Sequence, residues 1–165
     1  IEITYRAAST KKETKRKIQP RNLVNYAGNW YLLASKEGAK EVACFHLARM
    51  GKTIKLLEEF IPEAEFDLRK ARKHAFGVYL GKKELKVKVR FDELAAPYVS
   101  EKRWNDTQVI TPRADGGVDF SITVCDLTEI KAWILSWGTH AKAMQPRELT
   151  RQIEQDLRGM TALYA

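Results

Sequence analysis

One run of six residues, Asn29-Trp30-Tyr31-Leu32-Leu33-Ala34, constrains this chain more than any other stretch. Four of the six are large and apolar, two of those are aromatic, and the pair Gly28-Asn29 in front of them forms turns readily. A short continuous apolar run entered through a turn reads as a strand buried on both faces. Such a strand needs partners on either side, and the flanks supply them. Residues 1–6 alternate apolar and polar, the period of a half-buried strand. Residues 9–14 are polar and Lys-rich, a hairpin loop. Residues 15–19 return as a strand, and Pro20, with no N–H to donate, is expected to stop its pairing. Downstream, residues 36–40 around Gly38 read as a second hairpin loop, 42–47 as a strand and 53–57 as another. Five short strands joined by tight turns with no helix between them predict a small, strongly bent antiparallel sheet or barrel.

The second half follows a different rhythm. In residues 84–91 the alternation is strict, with Leu85, Val87, Val89 and Phe91 directed inward. Asp92 caps a short helix running through Tyr98 and Val99. Residues 107–111 and 118–125 are strands joined across Asp115-Gly116-Gly117, a strong hairpin signal. Asp126-x-x-Glu129 has the form of a capping box before Ile130, Trp133, Ile134 and Trp137, one helical face that Gly138 terminates. Residues 141–144 make a last strand, and Pro146 opens a helix to about Met160 over Leu149, Ile153 and Leu157. Strand–helix–strand–strand–helix–strand followed by a helix is the ferredoxin-like order. Between the halves, Pro62 breaks the chain within 60–65, and Asp67 is placed to cap a helix over 68–76 that Gly77 closes. No Gly/Ser-rich linker separates the halves, so this helix is expected to join them rigidly. The expected class is α+β, mainly β: a barrel-like domain over 1–62, a linking helix within 63–82 and a ferredoxin-like domain over 83–165.

Composition rules out several functions. With 165 residues, 44% hydrophobic and 30% charged, the chain buries a core and is not disordered by default. No apolar run approaches the ~20 residues of a membrane span, and no secretory leader is recognisable, which makes the expected location the cytoplasm. The sequence starts at Ile1, already inside a strand pattern, and reads as a fragment of a longer protein. Cys44 and Cys125 each sit alone in an apolar strand run. A disulfide between them is compatible with the sequence; isolated thiols in a reducing compartment are the expectation. The histidines, His46, His74 and His140, are scattered and show no metal-ligand spacing. No nucleophile motif, phosphate-binding glycine loop or dinucleotide fingerprint occurs. The chain is therefore expected to be no enzyme and to need no cofactor.

Charge is distributed unevenly. Of the net +8, residues 1–90 hold 21 Lys+Arg against 10 Asp+Glu, or +11, whereas residues 91–165 hold 8 against 11, or −3. Either the first half carries a solvated basic surface or it meets a polyanion. The candidate binding residues are Arg6, Arg16, Lys17, His46, Arg49 and Arg90, because guanidinium forks fit phosphate, together with Tyr31 and Trp104, whose π-faces can stack on bases. Trp30, flanked by apolar neighbours, reads as core. Tyr31 lies on the opposite face and lines a groove or meets solvent. His46 alternates with Phe45 and Leu47 and faces away from them. Trp133 and Trp137, four apart on one helical face, read as core or as a dimer interface.

An ordered set of words gives these features a family resemblance. Arg16-x-Ile18-x-Pro20-x-x-Leu23, then Trp30-Tyr31-Leu32, then Phe45-x-Leu47-x-Arg49-Met50 resembles the WYL domain, a sensor module of bacterial transcription regulators. Val99-Ser100-Glu101-Lys102-Arg103-Trp104 and Trp133-Ile134-Leu135-Ser136-Trp137-Gly138 are similar to the C-terminal extension that usually follows it. The resemblance implies an Sm-like barrel and a homodimer paired through the extension. It also implies an effector, either a nucleic acid or a nucleotide, whose occupancy is relayed to an N-terminal helix-turn-helix that would read duplex promoter DNA. Short single-stranded DNA is the expected effector, with a small anionic nucleotide or metabolite as the alternative and a ligand-free dimerisation module as a third. Two departures bear on ligand preference: Ala43 and His46 stand where many members carry Arg.

Overall fold

The computed structural model describes residues 1–36, 41–57 and 66–165 of the chain, which divides into two compact units, Ile1–Lys70 and Ala71–Ala165. The first unit is built on the apolar run. That run lies in β3 (Asn29–Lys36), where Leu32, Leu33, Ala34 and Ser35 are all buried, so the strand has cover on both faces. Its neighbours are β2 (Glu13–Tyr26) and β4 (Val42–His46), with β1 (Glu2–Arg6) beyond β2 and β5 (Met50–Lys55) beyond β1. All pairs are antiparallel and the order is β4-β3-β2-β1-β5, the bent five-stranded arrangement that an Sm-like domain requires. Ile3, Tyr5, Ile18, Leu32, Ala34 and Phe45 form its core.

Three expectations for this unit change. Pro20 does not end the second strand: β2 continues through it, and the register shifts between Pro20 and Asn22. A bulge accommodates the missing N–H and leaves Arg21 as the extra residue. The last strand starts at Met50 rather than Thr53, directly after a 3-10 turn at Leu47–Arg49. Trp30 is 52% exposed rather than core. It shares a face with Leu32 and Ala34, but β4 ends its pairing at His46, opposite Tyr31, so β4 does not reach Trp30. The β2–β3 connection is a two-residue turn with Ala27 and Gly28 both at positive φ (48° and 76°), the conformation a tight hairpin demands. Lys36, the first residue of the loop expected over 36–40, ends β3, and the rest of that loop and the chain break expected at Pro62 fall on residues outside the described ones.

The second unit has the expected ferredoxin-like order. A sheet β7-β8-β6-β9, made of β6 (Leu85–Phe91), β7 (Val109–Pro112), β8 (Val118–Val124) and β9 (Ala141–Gln145), is antiparallel throughout. The helix expected over 68–76 is only α1 (Leu68–Ala71), followed by turns. Helices α2 (Ala96–Glu101) and α3 (Thr128–Ser136) make the crossovers, and α4 (Arg147–Tyr164) follows. The strict alternation of β6 is reproduced in its burial, with Val87, Val89 and Phe91 inside. They pack with Phe120, Ile122 and Val124 of β8, Ile130 and Ile134 of α3, and Leu149 of α4. The hairpin turn needs glycine at 117, since a Cβ there would lie 2.4 Å from the Phe91 carbonyl oxygen.

Glu129 is not part of a capping box. Its carboxylate accepts hydrogen bonds from the N–H groups of Gly77, Val78 and Tyr79, at 2.9, 2.7 and 3.4 Å, pinning a loop fifty residues away in sequence. Both cysteines are free; the Cys125 thiol donates to the Tyr79 carbonyl, and burial pushes its pKa up.

Candidate functional site

The basic character concentrates in residues 1–57, which carry 12 Lys+Arg against 4 Asp+Glu; over the whole first unit, Ile1–Lys70, the balance is 14 against 9. Cross-strand register sorts these cations into two faces. Arg6 pairs with Glu13, Thr4 with Lys15 and Glu2 with Lys17 on the outer side of β1–β2. Opposite residues of an antiparallel pair share a face, so Arg16, opposite Ile3, lies on the inner side with Tyr5 and Thr14.

Although 43 residues apart, Arg6 and Arg49 line one cleft of about 250 Å³ together with Thr4, Glu13, Ala48, Met50 and Gly51. Both are exposed, and neither has a hydrogen-bond or ion-pair partner among the described residues. The β1–β5 pairing brings them together: Tyr5 lies opposite Met50, placing the residues that follow and precede them side by side. The cleft floor is tight, because a Cβ on Gly51 would sit 3.2 Å from that of Thr4. Such a site can hold one compact anion with two guanidinium forks. The alternative role for Arg49, an ion pair with Glu58 or Glu59, involves residues outside the described ones.

Arg16 is used differently. Its Nε donates to Thr14 Oγ1 at 3.0 Å, and the guanidinium lies 5.5 Å from the Tyr5 ring centroid and 5.9 Å from that of Phe45. It therefore covers one end of the core through cation–π contacts. His46 joins the neighbouring elements. Its backbone N–H donates to Tyr5 Oη at 3.3 Å, its ring is edge-on to Tyr31 at 4.9 Å, and Nδ1 accepts from the Ala48 N–H at 3.1 Å. Because a backbone N–H can only donate, Nδ1 carries no proton, and the ring is the Nε2–H tautomer, which donates to Asn29 Oδ1 at 3.2 Å. Tyr31 is half-buried beside it, and Lys17 lies exposed on the outer face.

The remaining two candidates belong to the second unit and are engaged there. Arg90 Nε donates to Asp119 Oδ1 at 3.1 Å. Lys88 Nζ lies 2.9 Å from the other oxygen, and the Lys88 hydrogen bond, ahead of that from Arg90, holds the Asp119 carboxyl below the usual carboxylate range. Trp104 is stacked on Phe76 at 5.4 Å and packed against Trp133 and Phe120, with the Lys102 ammonium 5.1 Å from its ring. Its π-faces serve the core instead of lying open to a base.

Two residues of interest were not among the sequence-based candidates. Arg21, set apart by the bulge, directs Nε and Nη2 to the buried Ser35 hydroxyl at 3.3 Å each and borders a larger apolar groove of about 680 Å³ lined by Leu23, Leu32, Leu47 and Ile54. Trp30 is 52% exposed, on the face of β3 opposite that of Tyr31. Only the premature end of β4 could have signalled it, and that end is set by His46 capping the turn.

Family models match both units: a WYL domain over residues 1–56 and a WCX domain over residues 83–161. The chain carries a WYL domain followed by a WCX domain. A CRISPR Cas-related protein of known structure, 12% identical, superposes on 99% of this chain with a TM-score of 0.61 and shares the fold. Proteasome accessory factor B/C (PafBC) of Arthrobacter aurescens is 23% identical over 92% of this chain, with a TM-score of 0.40. The chain spans 47% and 23% of those two chains, respectively. No curated protein matches it. Among the described residues of this WYL–WCX chain, no group of three or more His, Cys, Asp or Glu is placed to hold a metal ion, and no helix is long and apolar enough to cross a membrane.

Proposed function

We propose that the WYL domain is an effector-sensing module for short single-stranded DNA in the cytoplasm, and that it relays occupancy to a duplex-reading DNA-binding domain of the same regulator. The observation that carries this reading is that Arg6 and Arg49, both without hydrogen-bond or ion-pair partners among the described residues, line one cleft within residues 1–57, which carry 12 Lys+Arg against 4 Asp+Glu. Phosphates of a single strand would occupy the cleft and be approached by Lys15 and Lys17 along the outer face of β1–β2. Exposed bases would find Trp30 or, on the opposite face of β3, Tyr31, since stacking requires bases freed from a duplex. Arg16, Arg90 and Trp104 have structural partners and stand outside this site. The test is a titration with a labelled oligo-dT against a duplex of equal length, in which the single strand should bind more tightly.

A small anionic nucleotide is the second reading. A cleft of about 250 Å³ lies just below the range of pockets that hold drug-sized ligands, a size suited to a small anionic molecule rather than a long strand. In that case a mononucleotide should compete with the oligomer at comparable concentration.

The WCX domain is proposed to pair two copies of the chain. On α4, Leu157, Met160, Leu163 and Tyr164 are 49%, 45%, 83% and 89% exposed, a face that self-association would cover. Light scattering is expected to give a dimer at micromolar concentration; a monomer there contradicts the pairing.

A further inference from the structure

We propose that the solvent-facing side of the WCX sheet holds duplex DNA by its phosphates, in a different unit from the Arg6–Arg49 cleft and for a different ligand. The positive charge of the chain is concentrated twice, and that cleft draws on only one of the two places. Residues 71–90, which open the second unit, carry 7 Lys+Arg against 1 Asp+Glu. Strand β6 turns three of these cations onto one face. Val87, Val89 and Phe91 are buried in the core, so Lys86, Lys88 and Arg90 point the other way. Register widens the row: Arg90 lies opposite Lys142 of β9 on one side and Asp119 of β8 on the other. Opposite residues share a face, so this side of the three strands gathers four cations and one carboxylate. Ser121 and Thr123 of β8 lie on it too, and their hydroxyls can add hydrogen bonds to phosphate.

Two details favour an anionic partner over a face that meets only water. Arg90 and Lys142 are like charges directly opposite each other, a pairing that costs a sheet stability. Lys86 and Lys142 are exposed, and neither has a hydrogen-bond or ion-pair partner among the described residues. Asp119 does not cancel the patch. Its two oxygens hold Lys88 Nζ at 2.9 Å and Arg90 Nε at 3.1 Å, which fixes the spacing of two positive heads and leaves the face positive. Outward residues of β6 recur about every 6.8 Å along the strand, close to the interval between successive phosphates of a nucleic-acid backbone. On this face β6, β8 and β9 carry no aromatic side chain, so an unpaired base has nothing there to stack on. That favours the duplex over the single strand, since a duplex presents one charge per about 1.7 Å of its axis and needs only its phosphates held. Contacts of this kind read no sequence.

The test is a titration of the WYL–WCX chain with a labelled duplex of random sequence across a range of salt concentrations. The wild type should bind the duplex at low salt. Lys86→Ala with Lys142→Ala should weaken that binding about tenfold and lower the slope of log affinity against log salt by about 1.8, two phosphates at about 0.9 each. Both lysines are exposed, so the melting temperature of the WCX domain should hold. Lys11→Ala with Lys12→Ala removes the same charge from the WYL domain and should change duplex binding little. Nuclear magnetic resonance is the second measurement: added duplex should shift the amides of Lys86, Lys88 and Ser121. No duplex binding by the wild type, a salt slope unchanged in Lys86→Ala with Lys142→Ala, or an equal loss from both double variants would overturn the surface. Oligo-dT is titrated against Arg6→Ala with Arg49→Ala alongside. Loss of oligo-dT binding there with duplex binding kept supports two surfaces, and the duplex result stands even if oligo-dT binds no variant at all.

Discussion

Replacing Arg6 and Arg49 together by alanine is expected to lower oligo-dT affinity by two orders of magnitude or more while leaving the melting temperature of the WYL domain unchanged. Each guanidinium hydrogen-bonded to a phosphate contributes about 1.5–3 kcal/mol, and every 1.4 kcal/mol is tenfold in affinity. Neither arginine has a partner among the described residues, so truncating either breaks no hydrogen bond or ion pair of the fold among them. The slope of log affinity against log salt should fall by about 0.7 for each phosphate of a single strand that is no longer neutralised. A drop in melting temperature with the salt slope intact would assign the two residues to holding the barrel together. Arg16→Ala is the contrasting variant. Its cation–π cover of Tyr5 and Phe45 predicts a loss of stability of about 1–2 kcal/mol with little change in slope.

Phe120→Ala should unfold the WCX domain over most conditions. Phe120 is fully buried, with Phe91, Trp104 and Trp133 around it at centroid distances of 6.3, 5.5 and 5.2 Å. Truncating a buried phenylalanine costs about 3–5 kcal/mol, a large share of what a unit of this size holds in reserve. Three of the four tryptophans, Trp104, Trp133 and Trp137, pack against this core, so their fluorescence reports its melting. Wild-type stability in Phe120→Ala would mean that the aromatic cluster is not the centre of the domain.

Periodicity made the WCX half legible almost residue by residue, because its sheet has one buried face and its helices carry clear apolar stripes. The alternation in Leu85–Phe91 can pack in only one register. The WYL half was legible in strand number and in its buried third strand, but not where pairing ends. The bulge at Pro20 and the early end of β4 are decided by partners across the sheet, which a single sequence does not display, and they set Arg21 apart and exposed Trp30. Glu129 shows the same limit: the spacing Asp126-x-x-Glu129 fits a local cap, yet three N–H groups of a distant loop compete for that carboxylate and win. For the site, residue type pointed to arginines, while only the fold could separate Arg6 and Arg49, which converge, from Arg90, which is paired to Asp119.

The most direct test of the sensing proposal is a parallel titration of the WYL–WCX chain with oligo-dT, a duplex of equal length and a mononucleotide across a range of salt concentrations. The expected result is tightest binding to the single strand, a salt slope reflecting at least two phosphates held at about 0.7 each, and quenching of tryptophan fluorescence that disappears in Trp30→Ala. Equal or tighter binding to the duplex, with no contribution from Trp30, would contradict it.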